Sequence, residues 1–268
     1  MVLLVITDFT RSLTGKLHRG VEKPPEGKSP PKSTTIPLVL GILTQEVYSR
    51  EYRMLSGIKA GLLTFNSGLI EIMQEDSEAK DLSQIQQCFS ESVTKAIDEK
   101  QANAVTVATP CLEPLGSLIA REQSMEFLSL NQEIACSCEK HQLRNVGLLG
   151  TSWDTSQNSH LVTMLKQHGI GVSIPSNTAV RNLLTHCVRY EVRGGIYYNG
   201  KSCDSEAFCL SAVEDMVERD QIDGLILCNG ELRYLAKDIG QKWPQLKIIN
   251  AMLVHWQLLQ KSYEEVES

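Results

Sequence analysis

The sequence has no apolar run approaching the roughly 18 residues that a membrane-spanning helix needs, so no membrane partner is expected. It has no long basic block either, and its net charge is −6, which argues against a nucleic-acid surface. Eight cysteines in 268 residues are too sparse to staple a fold by disulfides. There is no GxxxxGKS/T loop. Gly194-Gly195 and Asn199-Gly200 lack the strand-then-helix setting of a dinucleotide loop and read as turns, the second as a hairpin. Cys136, Cys138 and His141 supply three ligands on one helix with no second pair to close a tetrahedron, so no zinc or other metal site is expected. Cys203 and Cys209 flank an acidic stretch and read as thiols without a role. The apolar start, Met1 to Thr7, lacks the basic region and small-residue cleavage site of a secretory signal and reads as a short strand. The thiols are therefore expected to be reduced and the protein cytoplasmic.

What is present is an alternation of short apolar runs and helical spacing. Residues 20–37 carry five prolines and two glycines, and residues 1–35 are expected to form a flexible leader. Beyond them the pattern predicts a strand over 37–43, a helix over 49–65 through Tyr52, Leu55, Ile58 and Leu62, and a strand over 69–73. A helix over 82–99 and a strand over 104–108 follow, then helices over 115–125 and 131–141. The series restarts with a strand over 145–150, a helix over 156–168, a strand over 171–174 and a connecting region. A helix over 205–220, strands over 224–227 and 247–249 and a final helix close it. Strands alternating with helices predict parallel sheets, hence an α/β fold. The same grammar used twice predicts two similar lobes, residues 36–143 completed by the C-terminal helix over 250–268, and residues 144–249.

Two strand runs end alike, Ala104-Val-Thr-Val-Ala-Thr-Pro-Cys111 and Gly224-Leu-Ile-Leu-Cys228-Asn-Gly230. Ligands collect at the carboxyl ends of strands in α/β sheets, so two such thiols can face each other across a cleft. Opposed thiols can take a proton from one face of a carbon and return one to the other. Each cysteine also suits a second reading, a small buried hydrophobe at a strand end. The base must be a thiolate, and backbone N–H groups at a strand-to-helix handover are expected to lower the thiol pKa from about 8.5. The same kind of N–H groups, at Thr44-Gln45, Thr151-Ser152 and Asn229-Gly230, are candidates to hold a substrate carboxylate.

Four stretches carry a family resemblance. They are Ala102 to Glu122, Asn145 to Thr151 with the following His168-Gly-Ile-Gly-Val-Ser-Ile-Pro175, Asp223 to Glu231, and Ile248-Ile-Asn-Ala-Met-Leu-Val-His255. In order and spacing they resemble the PLP-independent aspartate/glutamate racemase superfamily, which includes hydantoin racemases. The resemblance implies two flavodoxin-like lobes with an active-site cleft between them. It implies a cofactor-independent racemase or epimerase of an aspartate- or glutamate-like amino acid or related carbonyl acid. Two cysteines, Cys111 and Cys228, would exchange protons with a small acidic substrate in a homodimer.

Around that pair the resemblance implies further substrate contacts. Thr151 and Ser152 would meet the carboxylate, though a threonine there also suits a helix cap. Glu231 matches an acidic residue after the second cysteine, and also suits a helix N-terminus. His255 matches a closing histidine, which otherwise reads as a structural group. Arg50 and Arg53 lie near a basic residue for a distal carboxylate, and equally suit a solvated helix face paired with Glu46 or Glu51. Counting from the strand starts, Thr109 and Asn229 compete with the two cysteines for the acid/base positions, and Cys228-Asn-Gly230 restores the thiol with one residue deleted. Where the family has Asn-Thr after its first cysteine this chain has Leu112-Glu113-Pro114, and its closing Asp-Thr-Thr is Asn250-Ala-Met252. A one-cysteine lyase or isomerase and a catalytically silent binder of a small acid or a protein are the other readings.

Overall fold

The computed structural model of the chain describes residues 37–40, 104–186 and 204–267. The leader, the helices over 49–65 and 82–99, the strand over 69–73, both glycine turns, Cys203, Thr44, Arg50 and Arg53 lie outside the described residues.

Two parallel sheets form the body. In the first, β1 (Pro37–Leu40), β2 (Ala104–Val107) and β3 (Glu126–Leu128) lie in that order, with Pro37 opposite Ala104 and Ala104 opposite Glu126. In the second, β4 (Asn145–Leu149), β5 (Gly171–Ser173), β6 (Gly224–Leu227) and β7 (Lys247–Asn250) are arranged β5-β4-β6-β7. The strand order reverses between β4 and β6, and in open α/β sheets ligands bind beyond the carboxyl ends of the strands at such a reversal.

Around the sheets run α1 (Glu113–Glu122), α2 (Leu130–Lys140), α3 (His160–Gln167) and α4 (Thr178–His186). Then come α5 (Asp204–Asp220), α6 (Ala236–Lys242) and α7 (Ala251–Glu267). Side chains alternate across a strand, so β4 sends Val146 and Leu148 to one face and Leu149 to the other, and β6 divides Ile226 and Cys228 from Leu225 and Leu227. The first face packs on Ile134, Leu161, Leu165 and Val254 from α2, α3 and α7, and the second on Ala212, Val213 and Met216 from α5. Burial on both faces explains why these runs read as continuously apolar. In the first sheet α1 lies directly on β2. A side chain at Gly116 would collide with Val107 and stand 3.2 Å from Phe127, so only glycine permits the approach.

Several boundaries depart from the sequence expectation, each for a local reason. β3 has three residues, too few for an alternation to show. α4 and α6 occupy what the sequence leaves as connections, since their apolar stripes are short and held by packing on the sheet. α3 begins at His160 rather than near 156 because Ser159 is its cap and accepts from Val162 N at 3.3 Å. α1 begins earlier than 115 because Pro114 sits in its first turn, where no N–H is needed.

α7 leaves β7 through Asn250, whose Oδ1 accepts from Met252 N at 3.0 Å and caps the helix. It then packs against α2 and reaches the first sheet, where His255 Nε2 lies 3.2 Å from Thr106 Oγ1 on β2. Among the described residues no helix is long and apolar enough to cross a membrane.

Candidate active site

The first candidate thiol sits where β2 hands over to α1. The chain passes Thr109 into a single 3-10 turn, Pro110–Leu112, closed by Leu112 N donating to Thr109 O at 3.0 Å. Cys111 is in the middle of that turn and partly exposed. The turn is tied down from α2, because the Asn131 side-chain amide donates to Pro110 O at 3.2 Å. Asn131 N in turn donates to the carboxylate of buried Glu113, at 3.2 Å to Oε1. His160 Nδ1 lies 3.3 Å from Glu113 Oε2 and joins α3 to the same cluster.

The second thiol sits where β6 ends. Cys228 is buried, and its backbone N donates to Leu149 O at 2.9 Å, continuing the β4–β6 pairing past the last strand residue. Asn229 and Gly230 follow, both buried, and open the 3-10 turn Gly230–Leu235, in which Glu231 is the second residue. Asn229 turns its Oδ1 onto Thr151 N, 3.2 Å away, across the gap between the ends of β6 and β4.

The end of β4 supplies the group that joins the two thiols. Thr151 donates to Asp154 Oδ2 from its backbone N at 3.1 Å and from Oγ1 at 2.7 Å, so Asp154 is folded back over the strand end. A Cβ on Gly150 would stand 2.8 Å from Cys228 Cβ and 3.0 Å from Asp154 Oδ2, which places the second thiol and the carboxylate against one glycine. The Cys111 thiol is close enough to feel the charge of both the Asp154 carboxylate and Cys228. Two strand ends of the second sheet and one of the first thus bring Cys111, Asp154 and Cys228 together.

The electrostatics run against the expected acidification. Burial is the largest influence on both thiols and pushes each well above its ordinary value, and the neighbouring Asp154 pushes them further the same way. Asp154 is itself raised by burial, partly offset by the bonds from Thr151. A backbone hydrogen bond lowers Cys111 only as the smallest of its influences. The N–H groups expected to acidify a thiol or to hold a carboxylate at Thr151-Ser152 are engaged elsewhere. Thr151 N serves Asp154 and Asn229, and Ser152 N donates to Thr185 Oγ1 at 2.7 Å.

The other expected residues fall into two groups. Thr151, Ser152, Asn229 and Gly230 lie just beyond the carboxyl ends of β4 and β6, and Thr109 lies two residues before Cys111, buried, with no side-chain cap bond. His255 is buried on Thr106, and burial alone pushes its pKa down to about 3, so it is neutral there. Asp154 is the residue that the sequence reading misses. It sits among Thr151, Ser152, Thr155 and Ser156, a composition that signals only a turn. Among the described residues no group of three or more His, Cys, Asp or Glu side chains is set to hold a metal ion.

No model of a known protein family matches the sequence, and no curated protein does. Solved structures do match in fold. An aspartate racemase homologue from Pyrococcus horikoshii superposes with TM-score 0.61 at 19% identity, over 88% of this chain and 100% of that one. Glutamate racemase from Francisella tularensis, solved in complex with D-glutamate, gives 0.58 at 12% identity over 87% and 82%. An unliganded arylmalonate decarboxylase gives 0.50 at 9% identity over 84% and 92%. The chain has the two-lobed α/β fold that these proteins share, with parallel sheets.

Proposed function

We propose that this protein is a cofactor-independent racemase or epimerase of a small amino acid or related carbonyl acid, with Cys111 and Cys228 as its acid/base pair. The observation that carries the reading is the convergence of two strand-end thiols on one buried carboxylate at the crevice of an α/β fold. Inverting a carbon centre requires a base on one face and an acid on the other, since a lone base returns the proton to the face it came from. One cysteine, as thiolate, takes the α-proton and becomes a thiol. The other gives its proton to the opposite face and becomes the thiolate. The pair then starts the reverse reaction in the complementary protonation state.

The fold likeness to an aspartate racemase homologue and to a glutamate racemase supports an acidic amino acid as substrate. We assign the carboxylate contacts to Asn229 and Gly230 at the end of β6, with Thr44, Arg50, Arg53, Thr109, Thr151, Ser152, Glu231 and His255 as the further contacts that the sequence reading names, the Thr151 and Ser152 N–H groups being engaged by Asp154, Asn229 and Thr185. The protein is proposed to act in the cytoplasm as a homodimer. A one-cysteine reaction is the second reading. It is favoured by the unequal placement of the thiols, Cys111 partly exposed and Cys228 buried, and by the fold likeness to arylmalonate decarboxylase.

The test is α-proton exchange in deuterated water, followed by NMR, on aspartate, glutamate and a hydantoin, with Cys111→Ala and Cys228→Ala in parallel. Exchange that needs both thiols supports the two-base reading, and exchange that is lost with Cys111→Ala but survives Cys228→Ala supports the one-cysteine reading. Absence of exchange on all of these substrates overturns the proposal for them and moves the binding-protein reading to the front.

A further inference from the structure

The turn after β4 holds a buried carboxyl group by one oxygen only. Thr151 donates to Asp154 Oδ2 from its backbone N at 3.1 Å and from Oγ1 at 2.7 Å, while Oδ1, also buried, has no hydrogen-bond partner among the described residues. Buried polar atoms are nearly always bonded, so an open one asks for an explanation. The side chain is not free to turn and find a partner. Thr155 N and Oγ1 close the turn by donating to Thr151 O at 3.0 and 2.9 Å. A Cβ on Gly150 would meet Asp154 Cβ and Oδ2 at 3.0 Å and Cys228 Cβ at 2.8 Å, so the acid is packed against the strand end beside the second thiol.

That place decides what the open oxygen can meet. β4 and β6 are paired neighbours where the strand order reverses, and Asp154 lies just beyond their carboxyl ends, where α/β sheets bind ligands. Oδ1 is an acceptor there, and the strongest partner for a carboxyl oxygen is a positively charged N–H group. Burial favours the neutral form of this carboxyl, and a cation set against Oδ1 acts in the opposite sense.

We propose that Asp154 is a substrate-binding residue: with Oδ2 held by Thr151, Oδ1 receives the ammonium of a free amino acid, so that the site selects an amino acid over the same acid without its nitrogen. The inference rests on the amino-acid reading of the site given above and adds the residue that recognises the nitrogen. It concerns binding and does not need turnover to be true.

The experiment is isothermal titration of the full chain with the enantiomers of aspartate against succinate, and of glutamate against glutarate, for the native protein and Asp154→Asn. Asparagine keeps an oxygen for the Thr151 bonds and puts an NH2 group where Oδ1 stood, so a donor faces the ammonium. The native protein is expected to bind at least one amino acid more tightly than its desamino partner. In the variant that amino acid is expected to bind about tenfold to a hundredfold more weakly, the scale of a lost charged hydrogen bond. Binding of the desamino acid and the thermal midpoint are expected to be unchanged, and together they report that the variant is folded.

A native protein that binds neither amino acid, or binds both no better than the desamino acids, overturns the inference. So does a preference for the amino acid that survives in Asp154→Asn, and either result leaves Oδ1 to a buried water. A variant that melts early and loses both kinds of ligand also overturns it and makes Asp154 a structural residue. The racemase reading fails separately, by the absence of α-proton exchange on an amino acid that still binds.

Discussion

Cys228 and Gly150 share a boundary with no slack: a methyl group placed on the glycine would lie 2.8 Å from the cysteine Cβ. Cys228 Cβ is fixed to a strand end that is itself hydrogen-bonded to Leu149, so it cannot swing aside as the tip of a long side chain would. Gly150→Ala is therefore expected to destabilise the fold by about 1–3 kcal/mol, as overpacking in a dense core does. Urea unfolding gives the energy. An alanine variant as stable as the parent would show that the strand ends adjust freely.

The Asn131 side chain links α2 to the turn that carries Cys111. Asn131→Ala removes the side-chain donor to Pro110 O, which keeps the Glu113 N–H, an effect of about 0.5–1.5 kcal/mol. Beyond this loss in urea unfolding, the Cys111 turn is expected to become more mobile. Hydrogen exchange at Leu112 N, which closes the turn, checks it, and unaltered protection there would contradict the assignment.

His255 makes stability fall in mild acid. Its folded pKa, about 3, lies below the ordinary 6.5, so between those values the unfolded chain takes up a proton that the folded one refuses. Stability is intact above about pH 6.5 and declines as the pH drops below it. The linkage amounts to about 2 kcal/mol between roughly pH 7 and pH 5. Denaturant unfolding at both pH values, for the native protein and His255→Gln, isolates the effect as the part of the decline that the variant lacks.

Glu113 acts in the opposite sense. Burial raises its pKa despite the donation from Asn131 N and the adjacent His160, so the folded state holds its proton more tightly than the unfolded one. That contribution is complete below the ordinary carboxylate pKa of 4.5 and is lost as the pH rises through the folded value. Glu113→Gln is expected to flatten this decline toward neutral pH. An identical pH slope in both proteins would place the ionisation outside the cluster.

The alternation of apolar runs and helical spacing was enough to read the parallel strands β2, β4, β5, β6 and β7 and most of their helices, because burial on both faces leaves short runs with no polar interruption. The two thiols were legible for the same reason, since each closes such a run. What stayed hidden depends on distances across the chain. Nothing in Thr151-Ser-Trp-Asp154 announces that the acid folds back over Gly150 toward residues more than forty positions before it and seventy after it. The direction of the thiol shift was misread because sequence shows the handover from strand to turn but not which side chains already occupy its N–H groups. β3 was missed for lack of length, and α4 because Leu184 is its one buried side chain and leaves no apolar stripe to read.

α7, made after every strand, returns from the four-stranded sheet to cover α2 and to set His255 against Thr106 of β2. During synthesis, β2 and α2 therefore emerge more than a hundred residues ahead of the surface that buries them. Until α7 is made, the faces of β2 and α2 that it covers stay open to water. A nascent chain that has not yet made Ala251–Glu267 therefore presents the apolar surface that invites chaperones and aggregation.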